Sequence, residues 1–392
     1  MVPSSSRTEV VRAGVATDTA FGAVIPPLYL SSNFEFAGLG LPRKHDYTRS
    51  GNPTRDQLEV ALSRLESAAG GVVTASGMAA VTAVLHASGR SRVLAPLDCY
   101  GGTYRLLSAY HERGFLNCSF VDFGTDDWAA GLGAAGEALV WIETPSNPLL
   151  RITDLAAVIA RAHAAAAIVV VDNTFLSPIW QRPLELGADV VVHSTTKYLN
   201  GHSDVVGGAA LARDPELVDR LRYWSNCLGL TGSPFDAYLT LRGLRTLHAR
   251  LQQHERNARA IAALLVQHPG VRCVHYPGLA EHDGHEIARR QQDGYGAIVS
   301  FELRDPDQVG TVVDSLRYFS LAESLGGVES LVAHPATMTH AAMPAAARAR
   351  AGISDGLLRL SLGIESIDDL TTDLQTALDR ALQAVDVAEE VR

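Results

Sequence analysis

The segment Ala188-Asp189-Val190-Val191-Val192-His193-Ser194-Thr195-Thr196-Lys197-Tyr198-Leu199-Asn200-Gly201-His202-Ser203-Asp204 limits most tightly what this chain can fold into. Val190 to Val192 form a short, unbroken, β-branched run. That is the pattern of a strand buried on both faces, as in a parallel sheet. Open α/β sheets place their ligands outside the carboxyl ends of the strands, which is where Lys197 then stands. An ammonium in so poorly solvated a place gives up its proton readily, and the free amine serves as a nucleophile or Schiff-base partner. Alone, Lys197 is an ordinary surface lysine. Its company decides otherwise.

Composition narrows the class. At 392 residues, 47% hydrophobic and 19% charged, the chain can bury a large core and fits two domains or one α/β domain with an appendage. A formal net charge of -10 argues against the basic face that non-specific nucleic-acid binding needs. No stretch is apolar for long enough to span a bilayer, so no membrane partner is expected. The first residues carry no apolar signal region, and Cys99, Cys118, Cys227 and Cys273 form no CxxC pair. Together these predict a cytoplasmic protein with reduced thiols.

Residues 1–50 read as an arm, rich in Pro, Gly and Ser, with Pro26-Pro27 forbidding a helix there. Its polar end, around Tyr47, Arg49 and Asn52-Pro53, has no core-forming pattern, so the arm is expected to embrace a neighbouring subunit. Leu58, Leu62 and Leu65 predict a helix ending before Gly70-Gly71. Ser76-Gly77-Met78-Ala79-Ala80 then opens another helix whose backbone amides suit a phosphate. Residues 51–245 form the large domain: strands at 93–96, 138–142, 168–171 and 190–192 alternate with helices at 154–165 and Pro183–Leu186. That alternation calls for a parallel, right-handed crossover sheet. Residues 246–392, after a linking helix through Leu247 and Leu251, are expected to form a smaller α+β domain with strands at 297–303, 318–322 and 357–362.

Glu143 and Asp172 end two of the strands, and with Lys197 they mark one rim of the sheet. A lysine, a carboxylate, hydroxyls, a glycine turn and an aromatic are what pyridoxal phosphate needs. The carboxylate keeps the pyridine nitrogen protonated, and hydroxyls and backbone amides take the phosphate. One αβ crossover separates Asp172 from Lys197, so both can face one pocket.

Asp172-Asn173-Thr174-Phe175 together with His193 to Asp204 resembles the cysteine and methionine metabolism family of pyridoxal-phosphate enzymes, of fold type I. Tyr47 to Thr54, Ser76 to Ala80, Tyr100-Gly101-Gly102-Thr103 and Glu323 to Gly327 follow in family order. The resemblance covers nearly the whole chain. It implies an α/β large domain with a mostly parallel seven-stranded sheet sandwiched by helices, plus a smaller C-terminal α+β domain. It implies that Lys197 is the Schiff-base lysine and proton shuttle, that Asp172 pairs with the pyridine nitrogen, and that Tyr100 stacks on the ring and helps deprotonate the incoming amine. Gly77, Met78, Ser194 and Thr196 would hold the phosphate, and Tyr47 and Arg49 would reach it from the neighbouring subunit. Arg359 would clamp the substrate α-carboxylate, a task suited to a guanidinium fork. Asn147 would touch the ring or substrate and Ser324 the substrate, with Arg105 and Glu323 toward its distal groups. The implied assembly is a homotetramer, a dimer of dimers with shared sites.

The activity implied is a transferase reaction: γ-replacement of O-succinyl-L-homoserine by L-cysteine to give L-cystathionine and succinate. Lysis of cystathionine at Cγ and sulfhydrylation of O-succinylhomoserine are the alternatives. Glu323 before Ser324 fits γ-acting members, and Gly102 stands where the methionine γ-lyases would have a cysteine. A dinucleotide-binding dehydrogenase would need G-x-G-x-x-G, which Ser76 to Ala80 lacks. His282-Asp283-Gly284-His285-Glu286 lacks i, i+4 ligand spacing, so no metal is expected.

Overall fold

The computed structural model describes the backbone of residues 5–390 and side chains as far as residue 384. Two compact units emerge, each discontinuous in sequence. The first comprises residues up to 95, 110–142 and 154–248, and the second 96–109, 143–153 and the chain from 249 onward.

The first unit is built on β1 (Gly70–Thr74), β2 (Arg92–Pro96), β3 (Asn117–Val121), β4 (Ala138–Glu143), β5 (Ile168–Asp172), β6 (Val190–His193) and β7 (Gly208–Ala212). Their order across the sheet is β1-β7-β6-β5-β4-β2-β3. Strands β5 and β6 pair in parallel, with Asp172 opposite Val192. Val169, Val170, Val171 and Val191 are fully buried, as the unbroken apolar runs require. Strand β7 runs antiparallel to both β6 and β1. Residues 194–207 are spent on turns and include no helix, and a parallel return needs a longer crossover, usually a helix.

Helix α1 (Ser6–Arg12) lies in the arm, which is otherwise irregular. Helix α2 (Pro53–Glu66) starts at Asn52, whose side chain accepts from the Thr54 and Arg55 amides, and it buries Leu58 and Leu62. Helix α3 (Gly77–Ser88) starts at Ser76, whose hydroxyl accepts from the Ala79 N–H at 3.0 Å. The helix expected at Pro183–Leu186 is instead a set of turns closed by i, i+3 bonds, and Gly187 follows with φ +109°. A one-turn helix forms earlier, at Ser177–Trp180.

The second unit carries β8 (Val271–His275), β9 (Ile298–Leu303), β10 (Ser320–Leu321), β11 (Leu331–Ala333) and β12 (Leu357–Ser361), in the order β10-β11-β12-β9-β8. Of the strand expected at 318–322, only Ser320 and Leu321 pair, with Leu331 and Val332. Helix α4 (Gly101–Glu112) begins at the Gly101-Gly102 pair. The predicted linking helix spans Leu247–Gln267. Among the described residues no helix is long and apolar enough to cross a membrane.

Three histidines of the second unit, His254, His275 and His340, are each pushed down to about 4, in every case first by burial. Unfolding frees them to take up protons, so the unfolded chain binds more protons between the folded and the ordinary value. Stability is therefore full above about pH 6.5 and falls toward pH 4, by up to about 1.4 kcal/mol per pH unit for each group. Thermal unfolding should shift to lower temperature from pH 7 to pH 5. A flat profile over that window would show that these rings are already charged or exposed.

Candidate active site

In the first unit, β5 and β6 end side by side and deliver Asp172 and the Ser194–Lys197 turn to the same edge. Thr174 fastens the two ends. Its hydroxyl oxygen accepts from the Ser194 N–H at 2.9 Å and its N–H donates to Asp172 Oδ1 at 3.0 Å. Burial raises the pKa of Asp172, while the Thr174 hydroxyl and N–H and the nearby His193 act to lower it. The carboxylate is thus partly desolvated but supplied with donors, which suits a group that must face a cation.

The Lys197 turn is closed by its own backbone, with Lys197 N–H on the Ser194 carbonyl at 3.2 Å and Gly201 N–H on the Lys197 carbonyl at 2.8 Å. Thr196 Oγ1 exchanges bonds with Gly207, donating at 3.1 Å and accepting at 3.0 Å. Helix α3 arrives beside this turn. A Cβ on Gly77 would stand 2.9 Å from Ser194 Cβ, so only glycine lets the helix start come this close. The first N–H groups of an α-helix have no intrahelical acceptor, and here the Gly77 end of the helix lies against Ser194. An amine, a carboxylate supplied with donors, a bare helix N-terminus and two hydroxyls fit pyridoxal phosphate. Lys197 would bind its carbonyl carbon, Asp172 its ring nitrogen, and Gly77, Met78, Ser194 and Thr196 its phosphate.

Arg49 lies 5.6 Å from the centroid of the Tyr47 ring, and its carbonyl accepts from Thr231 Oγ1 at 2.9 Å. Buried Arg55 holds this end of the arm, donating to the Thr48 and Gly232 carbonyls. Beside it is a cavity of about 430 Å³ lined by Lys44, His45, Arg49, Arg55, Arg222 and Thr231 among others, a set that includes neither Lys197 nor Asp172.

The second unit brings together the residues expected at the substrate. Arg359, on β12 and 2% exposed, donates to Asn147 Oδ1 at 2.9 Å and to the Ser324 carbonyl at 2.8 Å. Ser324 sits at φ +86°, an uncommon conformation for a side-chain-bearing residue and one met at clamps and switches. The Tyr100 N–H donates to Glu143 Oε2 at 2.8 Å. The Tyr100 phenol is held above its ordinary pKa by burial, then by Glu323 and Glu143, against the pull of Arg105 and Arg359. Arg105 and Glu323 are exposed. His340, buried and neutral, touches the Asn147 and Cys99 backbones and is repelled by Arg359. Sequence reading did not single out Thr174, Glu143 as a Tyr100 partner, or His340. Only the acidic end of β4 offered a signal.

Residues 7–379 match the model of the Cys/Met metabolism PLP-dependent enzyme family. The chain is 51% identical to cystathionine gamma-synthase of Escherichia coli (strain K12) over 378 residues, covering 95% of this chain and 98% of that protein. It is 46% identical to cystathionine gamma-lyase of Dictyostelium discoideum, covering 95% and 97%. A crystal structure of cystathionine gamma synthase from Xanthomonas oryzae pv. oryzae, in complex with aminoacrylate and cysteine, superposes with a TM-score of 0.95 at 58% identity, covering 97% of this chain and 99% of that one.

The close approach of Gly77 to Ser194 generates a test. Gly77→Ala should weaken cofactor binding by about tenfold or more, about 1.4 kcal/mol, because the methyl group displaces the helix start from the Ser194 turn. Adding Ser194→Gly removes the clash and should recover part of that loss despite the missing hydroxyl. Titration of the apoproteins with pyridoxal phosphate measures both, and equal affinity of G77A and the unaltered chain would refute the packing account.

Proposed function

The chain belongs to the family of Cys/Met metabolism PLP-dependent enzymes, and from that premise we propose that it joins O-succinyl-L-homoserine and L-cysteine into L-cystathionine with release of succinate. The observation that carries this reading is similarity, over nearly the whole chain, to the cystathionine gamma-synthases of Escherichia coli and Xanthomonas oryzae. Glu323, preceding Ser324, agrees with a reaction at the γ-carbon.

Pyridoxal phosphate, when bound, draws electrons away from the substrate's α-carbon. The residues of the chain do the rest. Arg359, braced by Asn147 and the Ser324 carbonyl, takes the α-carboxylate, and that bracing limits the side-chain entropy lost on binding. The Lys197 amine is the base in this reading: it takes a proton from Cα, hands it on before taking one from Cβ, and later returns a proton to each carbon. The C–O bond at Cγ breaks with its electron pair leaving on succinate. The cysteine thiolate then forms the C–S bond at the same carbon, and its proton is released. Tyr100, held protonated by its surroundings, donates a hydrogen bond in this reading, and it can take the incoming amine's proton only as phenolate, after its own proton has passed to solvent.

A cytoplasmic homotetramer completes the reading, with Tyr47 and Arg49 of one copy reaching the phosphate held by another. The arm supports this, because Phe21, Val24, Leu30, Leu39 and Leu41 are all more than 60% exposed and call for a cover. Similarity to the Dictyostelium gamma-lyase favours a second reading, lysis of cystathionine to cysteine, 2-oxobutyrate and ammonia.

Product analysis separates the two. Protein carrying pyridoxal phosphate, given O-succinylhomoserine and cysteine, should make cystathionine and succinate while leaving added cystathionine largely intact. Rapid 2-oxobutyrate release from cystathionine with poor synthesis would establish the lyase instead. Lys197→Ala should lower turnover by several orders of magnitude. Shared sites predict complementation: K197A and R49A, each impaired alone, should regain activity when co-assembled, because one site per pair then has both residues. No gain above the two parents would refute shared sites.

A further inference from the structure

Behind Asp172, on the other side of the sheet, lies a buried charged pair that the reaction above does not use. Side chains alternate across a strand, so Asn173 and His193, each one step beyond the Asp172–Val192 register pair, point away from the cofactor side. There they meet Glu66, the last residue of α2. Glu66 Oε1 accepts from His193 Nε2 at 2.6 Å and from Asn173 Nδ2 at 3.0 Å. Gln181 fixes Asn173 in turn, donating from Nε2 at 3.1 Å and accepting on its carbonyl at 2.8 Å. Glu66, His193 and Asn173 are 0% exposed and Gln181 is 1% exposed.

Stability gives little reason to keep such a pair. Replacing a buried ion pair by apolar groups of similar volume is often neutral or favourable. Here two of its atoms, Glu66 Oε2 and His193 Nδ1, are buried without a hydrogen-bond partner, an added cost. A carboxylate so deeply buried needs a positive partner, and among the described residues His193 is its ion-pair partner. His193 in turn acts on Asp172 from across the strand ends, opposing the burial that favours the protonated acid.

We propose that Glu66 is a positioning residue for the cofactor: by holding His193 and Asn173 behind the strand ends, it keeps Asp172 the anion that pairs with the ring nitrogen. The inference rests on the pyridoxal-phosphate reading of Asp172. It assigns no contact between Glu66 and the cofactor.

The test uses two ligands for the apoprotein: pyridoxal phosphate, and its 1-deaza analogue, in which carbon replaces the ring nitrogen. Glu66→Gln keeps the shape and removes the charge. It should raise the Kd for pyridoxal phosphate by about tenfold or more while leaving that of the deaza analogue within about twofold. Equal weakening of both ligands would mean that Glu66 only props the strand ends, and no weakening of either would mean that the charge is idle. Both results overturn the proposal. If E66Q does not fold, E66Q/H193Q removes both charges together and carries the same expectation. Unaltered protein that binds the two ligands equally would instead sink the reading of Asp172, and this proposal with it.

Discussion

The register of β5 against β6 is the constraint on which the candidate site depends. Because Asp172 stands opposite Val192, the strand that ends in a carboxylate and the strand that feeds the lysine turn stop level with each other. The Thr174 hydroxyl then bridges Asp172 and the Ser194 N–H, tying the two ends of the candidate site together. A slip of β5 by one residue would turn Asp172 to the opposite face, away from the Ser194 turn. The fully buried valines on both strands forbid that slip, because it would desert their packing on both faces. Packing in the sheet interior thus sets the chemistry at its edge.

Glycine makes the second half of the site possible by its absence of side chain at one point. Helix α3 supplies its N-terminus only if it can approach Ser194, and a Cβ at Gly77 leaves no room for that. Arg359 works by the opposite principle. Its long, flexible side chain is immobilised by two acceptors, the Asn147 carboxamide and the Ser324 carbonyl, so its entropy is lost on folding and not on binding. Both arrangements are fixed when the chain folds.

Much of this was legible in the sequence because it is local. The run Val190 to Val192, the acidic ends at Glu143 and Asp172 and the glycine turn at Gly77 each announce themselves within a few residues. The antiparallel return of β7 was not legible, since nothing in residues 194–207 says that they will coil into turns instead of crossing over. Nor was α1, a short helix in a segment with weak periodicity. The turns at Pro183–Leu186 carry helix-forming residues and still form no helix, because the chain turns back at once through Gly187 at φ +109°. The pair of Glu66 and His193 joins residues 127 positions apart, and a glutamate ending a helix looks solvent-facing until the fold closes over it. The association of 96–109 and 143–153 with the C-terminal unit is likewise a property of packing, unmarked by any change in composition.

Two titratable groups show how the fold sorts acid from base before any ligand arrives. Burial favours the neutral form of both Tyr100 and Asp172. Around Tyr100 the carboxylates of Glu323 and Glu143 push the same way as burial, so the phenol keeps its proton. Around Asp172 the Thr174 donors and His193 push against burial, so the carboxylate is favoured as far as its surroundings allow. Both groups are shifted upward, Tyr100 with the help of its charged neighbours and Asp172 against the pull of its own. Of the three groups expected to handle charge, the Lys197 amine is, in the proposed reading, the one left to carry protons between substrate carbons, and a single lysine at the end of a valine strand would then organise much of the chain.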